Sequence, residues 1–267
     1  MDKLKIGWVG AGFVGQVAHL ERFVKFKTSE VVALAEMRPK LCSDVAKEYG
    51  IPKTYNHHHD LIEKGECDAI IAITHRRHTF EVARDILESG THLLTEKPMA
   101  MTSSGANKLV EIAKEKDLIY GVGYMRRFDD GVRRAKTIIE DLRKTGELGS
   151  ITSIRIFLEA GNDYCGISQR VHPDEVLPSL PPLVEVVPDW IPENFHSDYD
   201  NFVNECCHDI NLLRFLFPDE FTVSTVKFKP KGISYAVLDY GDFFGLLEWG
   251  FLPKDVDEWR EGMEKTR

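Results

Sequence analysis

The feature that most constrains this chain is a glycine-spaced turn, Gly10-Ala11-Gly12-Phe13-Val14-Gly15. It lies between a short apolar run, Leu4 to Val9, and a stretch of helical character, Phe13 to Lys27. In G-x-G-x-x-G the first glycine permits a tight turn, the second lets backbone approach a pyrophosphate, and the third lets helix and strand pack closely. The N-terminus of the following helix offers free N–H groups and positive potential to phosphates. Glycine-rich turns are common, so the signal is weak by itself; standing after a strand and before a helix is what gives it weight.

The pattern around the turn repeats. Glu30 to Glu36 reads as a second buried strand, and Pro39 opens a helix that Gly50 closes. Asp68 to Ile73 is a strand, Thr79 to Ser89 a helix stopped by Gly90, and His92 to Thr95 a strand. Ser103 to Lys116 is a helix and Leu118 to Val122 a strand. Strands separated by helices of this length imply right-handed crossovers and a parallel sheet covered on both faces. The expectation is an α/β protein whose N-terminal domain, residues 1–122, is a doubly wound, Rossmann-type sheet.

After Gly123 the rhythm changes. Asp130 to Lys144 is a charged helix and Ser150 to Glu159 alternates like a half-exposed strand. Six of the twelve prolines fall between Pro173 and Pro192, which marks Cys165 to Phe195 as a long loop that shapes access to a site or an oligomer contact. Asn201 to Phe217 is a helix whose apolar residues (Val203, Cys206, Cys207, Ile210, Leu213 and Phe217) form one stripe. Phe221 to Lys229, Ser234 to Tyr240 and Phe243 to Phe251 follow as consecutive strands. Residues 123–267 therefore read as an α+β domain with a largely antiparallel sheet, for substrate binding and oligomerisation, with the boundary near 122–128.

Composition excludes several function classes. The chain has 267 residues, 43% of them apolar and 29% charged, which is ordinary for a folded globular protein. A net charge of −9 argues against broad nucleic-acid binding. No apolar run is long enough to span a bilayer. The opening residues are broken by Gly7, Gly10, Gly12 and Gly15 and do not read as a signal peptide, and the five cysteines have no C-x-x-C spacing. The expected compartment is the cytoplasm, with neither nucleic acid nor membrane as partner.

Glu36, at the end of the second strand, can accept hydrogen bonds from both ribose hydroxyls of a dinucleotide and would repel a 2′-phosphate. That favours NAD over NADP. Arg38 pulls the other way, since an arginine at this turn can hold a 2′-phosphate or stack on adenine, so NADP stays open.

Thr95-Glu96-Lys97-Pro98 follows the fifth strand, at the carboxyl edge where open α/β sheets bind ligands. Together with the glycine turn, Glu36, Met125-Arg126-Arg127-Phe128 and His208-Asp209-Ile210-Asn211, in that order, this resembles the glucose–fructose oxidoreductase / inositol dehydrogenase (Gfo/Idh/MocA-type) family of nicotinamide-dependent enzymes. The resemblance covers nearly the whole chain. It implies an NAD(P)-dependent dehydrogenase that moves hydride between nicotinamide and a hydroxyl carbon of a sugar, sugar acid or cyclitol, assembled as a homodimer or homotetramer.

By that resemblance Lys97 touches both the substrate hydroxyl and the coenzyme ribose, and Pro98 fixes an unusual peptide geometry. Arg126 would donate hydrogen bonds to substrate oxygens. His208 would be the acid/base, suited by an ordinary pKa near neutrality, with Asn204 one helical turn away. The family has an aspartate where Asn204 stands; an amide can orient a substrate or a histidine but cannot stabilise an imidazolium by charge. This departure keeps a second reading alive, a coenzyme-binding regulator or sensor without turnover. Coenzyme contacts are expected from Gly10, Gly12, Phe13, Val14, Gly15, Glu36, Arg38, Thr74, His75, His78, Glu96 and Lys97, although His75 departs from the family's usual residue.

No metal site is expected. His57-His58-His59-Asp60 reads as a solvated turn, because three adjacent residues at a helix start point in different directions, and Cys206-Cys207-His208 has no partner cluster. The chain ends in the charged stretch Lys254 to Arg267, whereas family members continue with more sheet. If the C-terminal domain is incomplete, it exposes an unpaired edge and relies on a partner subunit.

Overall fold

The computed structural model describes residues 2–160, 170–172, 174–176, 178, 186–229 and 233–251. Part of the proline-rich loop and all of Lys254 to Arg267 lie outside them. The chain divides into two compact units, Met1–Tyr124 with Gly166–Asn204, and Met125–Cys165 with Glu205–Arg267.

In the first unit six strands form one parallel sheet: β1 (Leu4–Val9), β2 (Ser29–Ala35), β3 (Lys53–Tyr55), β4 (Ala69–Ala72), β5 (His92–Thr95) and β6 (Tyr120–Val122). Their spatial order is β3-β2-β1-β4-β5-β6. The order reverses between β1 and β4, which opens a crevice at their carboxyl ends. Helices cover both faces. The first, α1, is wound as a π-helix over Gly15–Leu20 and as an α-helix over Glu21–Phe23. With α2 (Pro39–Tyr49) it packs on one face, around Trp8, Leu20, Leu34, Leu41 and Val45. On the other face α3 (His58–Lys64), α4 (Thr79–Glu88) and α5 (Ser103–Glu115) enclose Leu61, Phe80, Ile86, Leu87 and Leu109. Burial on both sides is why these strands read as unbroken apolar runs.

Two elements go beyond the sequence expectation. Strand β3, Lys-Thr-Tyr, pairs only with β2 at the sheet's edge. Helix α3 begins within the histidine run, where a turn is expected; His57 is its cap and accepts from the His59 N–H.

The second unit contains α6 (Asp130–Thr145) and a four-stranded sheet of β7 (Ser153–Ala160), β8 (Thr222–Lys227), β9 (Ser234–Asp239) and β10 (Phe244–Phe251). The order is β7-β10-β9-β8. The β10–β9 and β9–β8 pairs are antiparallel and the β10–β7 pair is parallel, a mixed and largely antiparallel sheet. The remaining long helix, α7, runs over His196–Leu216, starting directly after the expected loop and ahead of the expected helix start at Asn201, and the division between units falls within it, between Asn204 and Glu205. Among the described residues no helix is long and apolar enough to cross a membrane.

Candidate active site

Because all six strands of the first sheet run the same way, the segments after β1, β2, β4 and β5 emerge at one edge. The glycine turn follows β1. Gly10 has φ +90°, and a Cβ there would stand 2.3 Å from the Ile73 carbonyl oxygen. A Cβ on Gly15 would stand 2.8 Å from the Gly10 carbonyl, whereas one on Gly12 would meet nothing within 4 Å. Two glycines are thus required by the fold, while the third leaves open space where a phosphate would approach. The neighbouring Thr74, just after β4, has a buried Oγ1 with no hydrogen-bond partner among the described residues. The cradle and the unsatisfied hydroxyl fit a dinucleotide's phosphates and ribose. Phe13 and Val14 open α1 and are half-buried.

Glu36 leaves the end of β2 almost fully buried. Its Oε2 accepts from the Ala11 N–H at 2.9 Å, and Arg38 grips both oxygens through Nε (2.8 Å) and Nη2 (3.1 Å). Burial by itself would raise this carboxyl. Arg38 and the backbone donors more than offset it, holding the acid below its usual range. The acid and arginine that pull opposite ways in the sequence are therefore one ion pair.

Glu96 and Lys97 follow β5. Glu96 Oε1 pairs with His19 Nε2 of α1 at 2.6 Å, and Oε2 accepts the Lys97 N–H at 3.0 Å. Burial pushes this carboxyl up, yet the hydrogen bond from His19 keeps it below the ordinary value. The Lys97–Pro98 peptide bond is cis. The ammonium of Lys97 donates to both the carbonyl oxygen and the side-chain Oδ1 of Asn204, at 2.9 and 3.2 Å. Asn204 thus acts here as an acceptor for a lysine.

One turn earlier on α7, buried Asp200 receives Arg76 and Arg77 from the 3₁₀ turn Arg76–His78 that precedes α4. Arg76 donates to Oδ2 through Nε at 3.1 Å and also through Nη2, and Arg77 Nε donates to Oδ1 at 3.0 Å. His75 is exposed and caps that turn through Nδ1, and His78 faces Glu81 at 3.9 Å. Neither His19 nor Asp200 was among the expected site residues. Each is a polar residue on a helix, and only its distant partner marks it.

A second unexpected contact comes from Val171. Gln16, fully buried in α1, donates Nε2 to the carbonyls of Ala11 and Val171, and its Oε1 accepts the Val171 N–H at 3.2 Å. Farther along, Glu175 accepts from the Leu41 N–H at 2.7 Å in the first turn of α2. These described parts of the proline-rich loop lie on the first unit, beside the nucleotide turn.

Arg126 and His208 belong to the second unit. Arg126, in the 3₁₀ turn Met125–Phe128, bonds Asp209 Oδ1 at 2.6 Å. Burial drives the Asp209 carboxyl above its ordinary value against the pull of Arg126. The buried face of α7 is accordingly Cys206, Asp209 and Leu213, an acid inside the stripe expected to be apolar. His208 is half-buried beside it.

The Asp200 cluster has a testable pH signature. Burial opposes its charge, but two arginines hold its folded pKa below the ordinary value. Its stabilising contribution is therefore complete above the unfolded value, about 3.9, and is lost as pH falls through the lower folded pKa. Asp200→Asn should cost on the order of 2 kcal/mol at neutral pH, less than a fully buried pair because Arg76 and Arg77 keep some solvent. Urea midpoints from neutral to acid pH check this: the variant's acid slope should be shallower than wild type's.

Comparison with known proteins agrees with the architecture. Residues 4–124 match the Gfo/Idh/MocA oxidoreductase family, NAD-binding Rossmann fold. An inositol 2-dehydrogenase/D-chiro-inositol 3-dehydrogenase of Lacticaseibacillus casei is 29% identical over 226 residues, 82% of this chain and 54% of the relative. The rhizopine catabolism protein MocA of Rhizobium meliloti is 31% identical over 157 residues, 59% of this chain and 47% of the relative. The chain spans about half the length of the curated relatives it matches. In fold it is similar to myo-inositol dehydrogenase from Lactobacillus casei in complex with NAD(H) and myo-inositol, with TM-score 0.70 and 20% identity over 94% of this chain and 68% of that one.

Proposed function

From a chain that belongs to the Gfo/Idh/MocA oxidoreductase family and carries its NAD-binding domain, we propose an NAD-dependent dehydrogenase acting on the CH–OH group of a cyclitol or related sugar. The observation that carries this reading is Lys97, an ammonium at the carboxyl edge of the sheet that holds the glycine cradle, steadied by two oxygens of Asn204. Gly10, Gly12 and Gly15 would admit the pyrophosphate, Thr74 would meet the ribose or phosphate, and Glu36 would take the adenosine ribose. When bound, NAD supplies the hydride acceptor.

The residues of the chain supply position and proton transfer. Lys97 would donate a hydrogen bond to the substrate hydroxyl oxygen and share with the acid/base in moving its proton, with Asn204 orienting the ammonium. His208 and Arg126 are proposed as the acid/base and a substrate donor from the second unit, on the strength of the H-D and M-R-R-F motifs. The acids near the adenosine end, Glu36 and Glu175, favour NAD over NADP because both would repel a 2′-phosphate. A homodimer or homotetramer is the proposed assembly. The regulator reading rested on Asn204 in place of an aspartate; an Asn204 that holds Lys97 is compatible with turnover, and the matched relatives named above as dehydrogenases lend that reading no support.

The test is direct. The purified chain is titrated with NADH by fluorescence and then screened with NAD and a panel of inositols, sugars and sugar acids for NADH formation. Saturable NADH binding tighter than NADPH binding, with turnover on at least one polyol, is expected. Absence of binding overturns the coenzyme assignment, and binding without turnover on any polyol overturns the dehydrogenase assignment.

A further inference from the structure

The histidine run does not behave as a solvated turn with diverging side chains. His57 is extended, with φ −136° and ψ 147°, and the helix begins at His58, so the chain bends within the run. This bend brings three successive imidazoles together. Ring centroids are 4.4 Å apart for His57–His58, 4.6 Å for His57–His59 and 4.2 Å for His58–His59. One nitrogen from each ring lies within 4.8 Å of the others, and among the described residues this is the one such grouping of His, Cys or carboxylate donors.

A carboxylate from another helix holds the group. Asp85 of α4 accepts from His58 Nε2 at 3.0 Å and from His59 Nε2 at 2.8 Å, both on Oδ2. Its Oδ1 is taken by Arg84. A carboxylate can only accept, so both rings donate N–H to it, and each keeps a lone pair on its other nitrogen. A carboxylate that fixes ring orientation and tautomer is the outer partner seen behind metal-bound histidines. The His58 side chain is 12% exposed and that of Asp85 18%, whereas that of His59 is 63% exposed, so the group has a sheltered inner side and a solvent-facing ring.

We propose that His57, His58 and His59, with Asp85 as the charge partner behind them, bind one divalent transition cation of the Zn2+, Co2+ or Ni2+ class. Imidazole nitrogen selects these ions over Mg2+ and Ca2+, which prefer oxygen. A tetrahedral ion with metal–nitrogen bonds of about 2.1 Å needs donors about 3.4 Å apart. The grouped nitrogens, within 4.8 Å of one another, therefore close by up to about 1.4 Å on binding, within reach of side-chain rotation at a partly exposed site. Three protein ligands leave a coordination position for water. Bound there, the ion ties α3 to α4, two helices that pack on the same face of the sheet, and stabilises the folded chain.

The experiment uses the full-length chain freed of metal by a chelator and titrated with Co2+, followed by its visible ligand-field bands and by equilibrium dialysis. Zn2+ is then added in competition, with Mg2+ as control. One equivalent bound, displaced by Zn2+ and not by Mg2+, is expected, together with a rise in Tm. His57→Gln/His59→Gln should abolish stoichiometric binding. Asp85→Asn should weaken it by about 10-fold or more, with circular dichroism and NADH binding reporting an intact fold. A wild-type chain that takes up no Co2+, or a double variant that binds like wild type, overturns the proposal. So does an Asp85→Asn chain that folds and binds undiminished, because a loose histidine run would not need the carboxylate. If Asp85→Asn does not fold, the double variant decides. None of these residues belongs to the proposed coenzyme or substrate machinery, so failure here leaves the dehydrogenase reading standing.

Discussion

Lys97→Met should lower polyol-dependent NADH formation by about 10²–10⁴-fold, the range spanned by losing a positioned proton-transfer group. Methionine keeps most of the length and apolar stem but removes the ammonium that donates to the carbonyl and Oδ1 of Asn204. The NADH dissociation constant should stay within a few-fold of wild type, because the phosphates are assigned to the glycine turn and the adenosine ribose to Glu36. Comparison of kcat with the binding constant is the check. A variant with wild-type kcat removes Lys97 from the chemistry, whereas equal loss of binding and turnover makes it a coenzyme anchor. Asn204→Ala should fall between, with a smaller drop in kcat, since the backbone carbonyl of residue 204 remains as an acceptor.

The second large effect separates two glycines only two residues apart. Gly10→Ala forces a Cβ to within 2.3 Å of a backbone oxygen at a φ of +90°. Strain and overpacking together should cost about 3 kcal/mol or more, enough to lose soluble protein or to lower Tm steeply. Gly12→Ala meets nothing within 4 Å and should leave Tm nearly unchanged. Its methyl occupies the space where a pyrophosphate would approach, so NADH affinity should fall at least 10-fold. Thermal melts and NADH titrations on both variants check the pair. The reverse pattern, a folded Gly10→Ala that binds and an unstable Gly12→Ala, would refute the assignment of roles.

The sheet is legible in the sequence because its central strands are buried on both faces. Ile6 and Trp8, Ala33 to Ala35, and Ile70 to Ala72 are apolar whichever side they point to, and the glycines at 50 and 90 end helices in the left-handed conformation that favours glycine. Strand β3 escapes notice because three residues at a sheet edge, Lys53 to Tyr55, bury too little to leave a pattern. The π-winding of Gly15–Leu20 is equally silent, since its side chains read as helix of either kind.

The site is half legible. Glycine spacing, Glu36 and the Glu96-Lys97-Pro98 motif are local and can be read along the chain. The partners that fix them are not. His19 meets Glu96, Asp200 meets Arg76 and Arg77, and Asp209 meets Arg126, each across a long separation in sequence. A buried acid such as Asp209 interrupts no helical periodicity that would flag it, and His57 to His59 look divergent until the backbone bend at the cap is known.

The embrace of Gln16 and Val171 bears on how this protein can be dissected. A fragment cut after Tyr124 would contain every strand of the nucleotide-binding sheet, yet its innermost glutamine would lose the amide and carbonyl that complete its hydrogen bonds. An excised Rossmann half is thus missing a piece supplied from much later in the gene, and a working minimal coenzyme binder would have to splice that stretch back in.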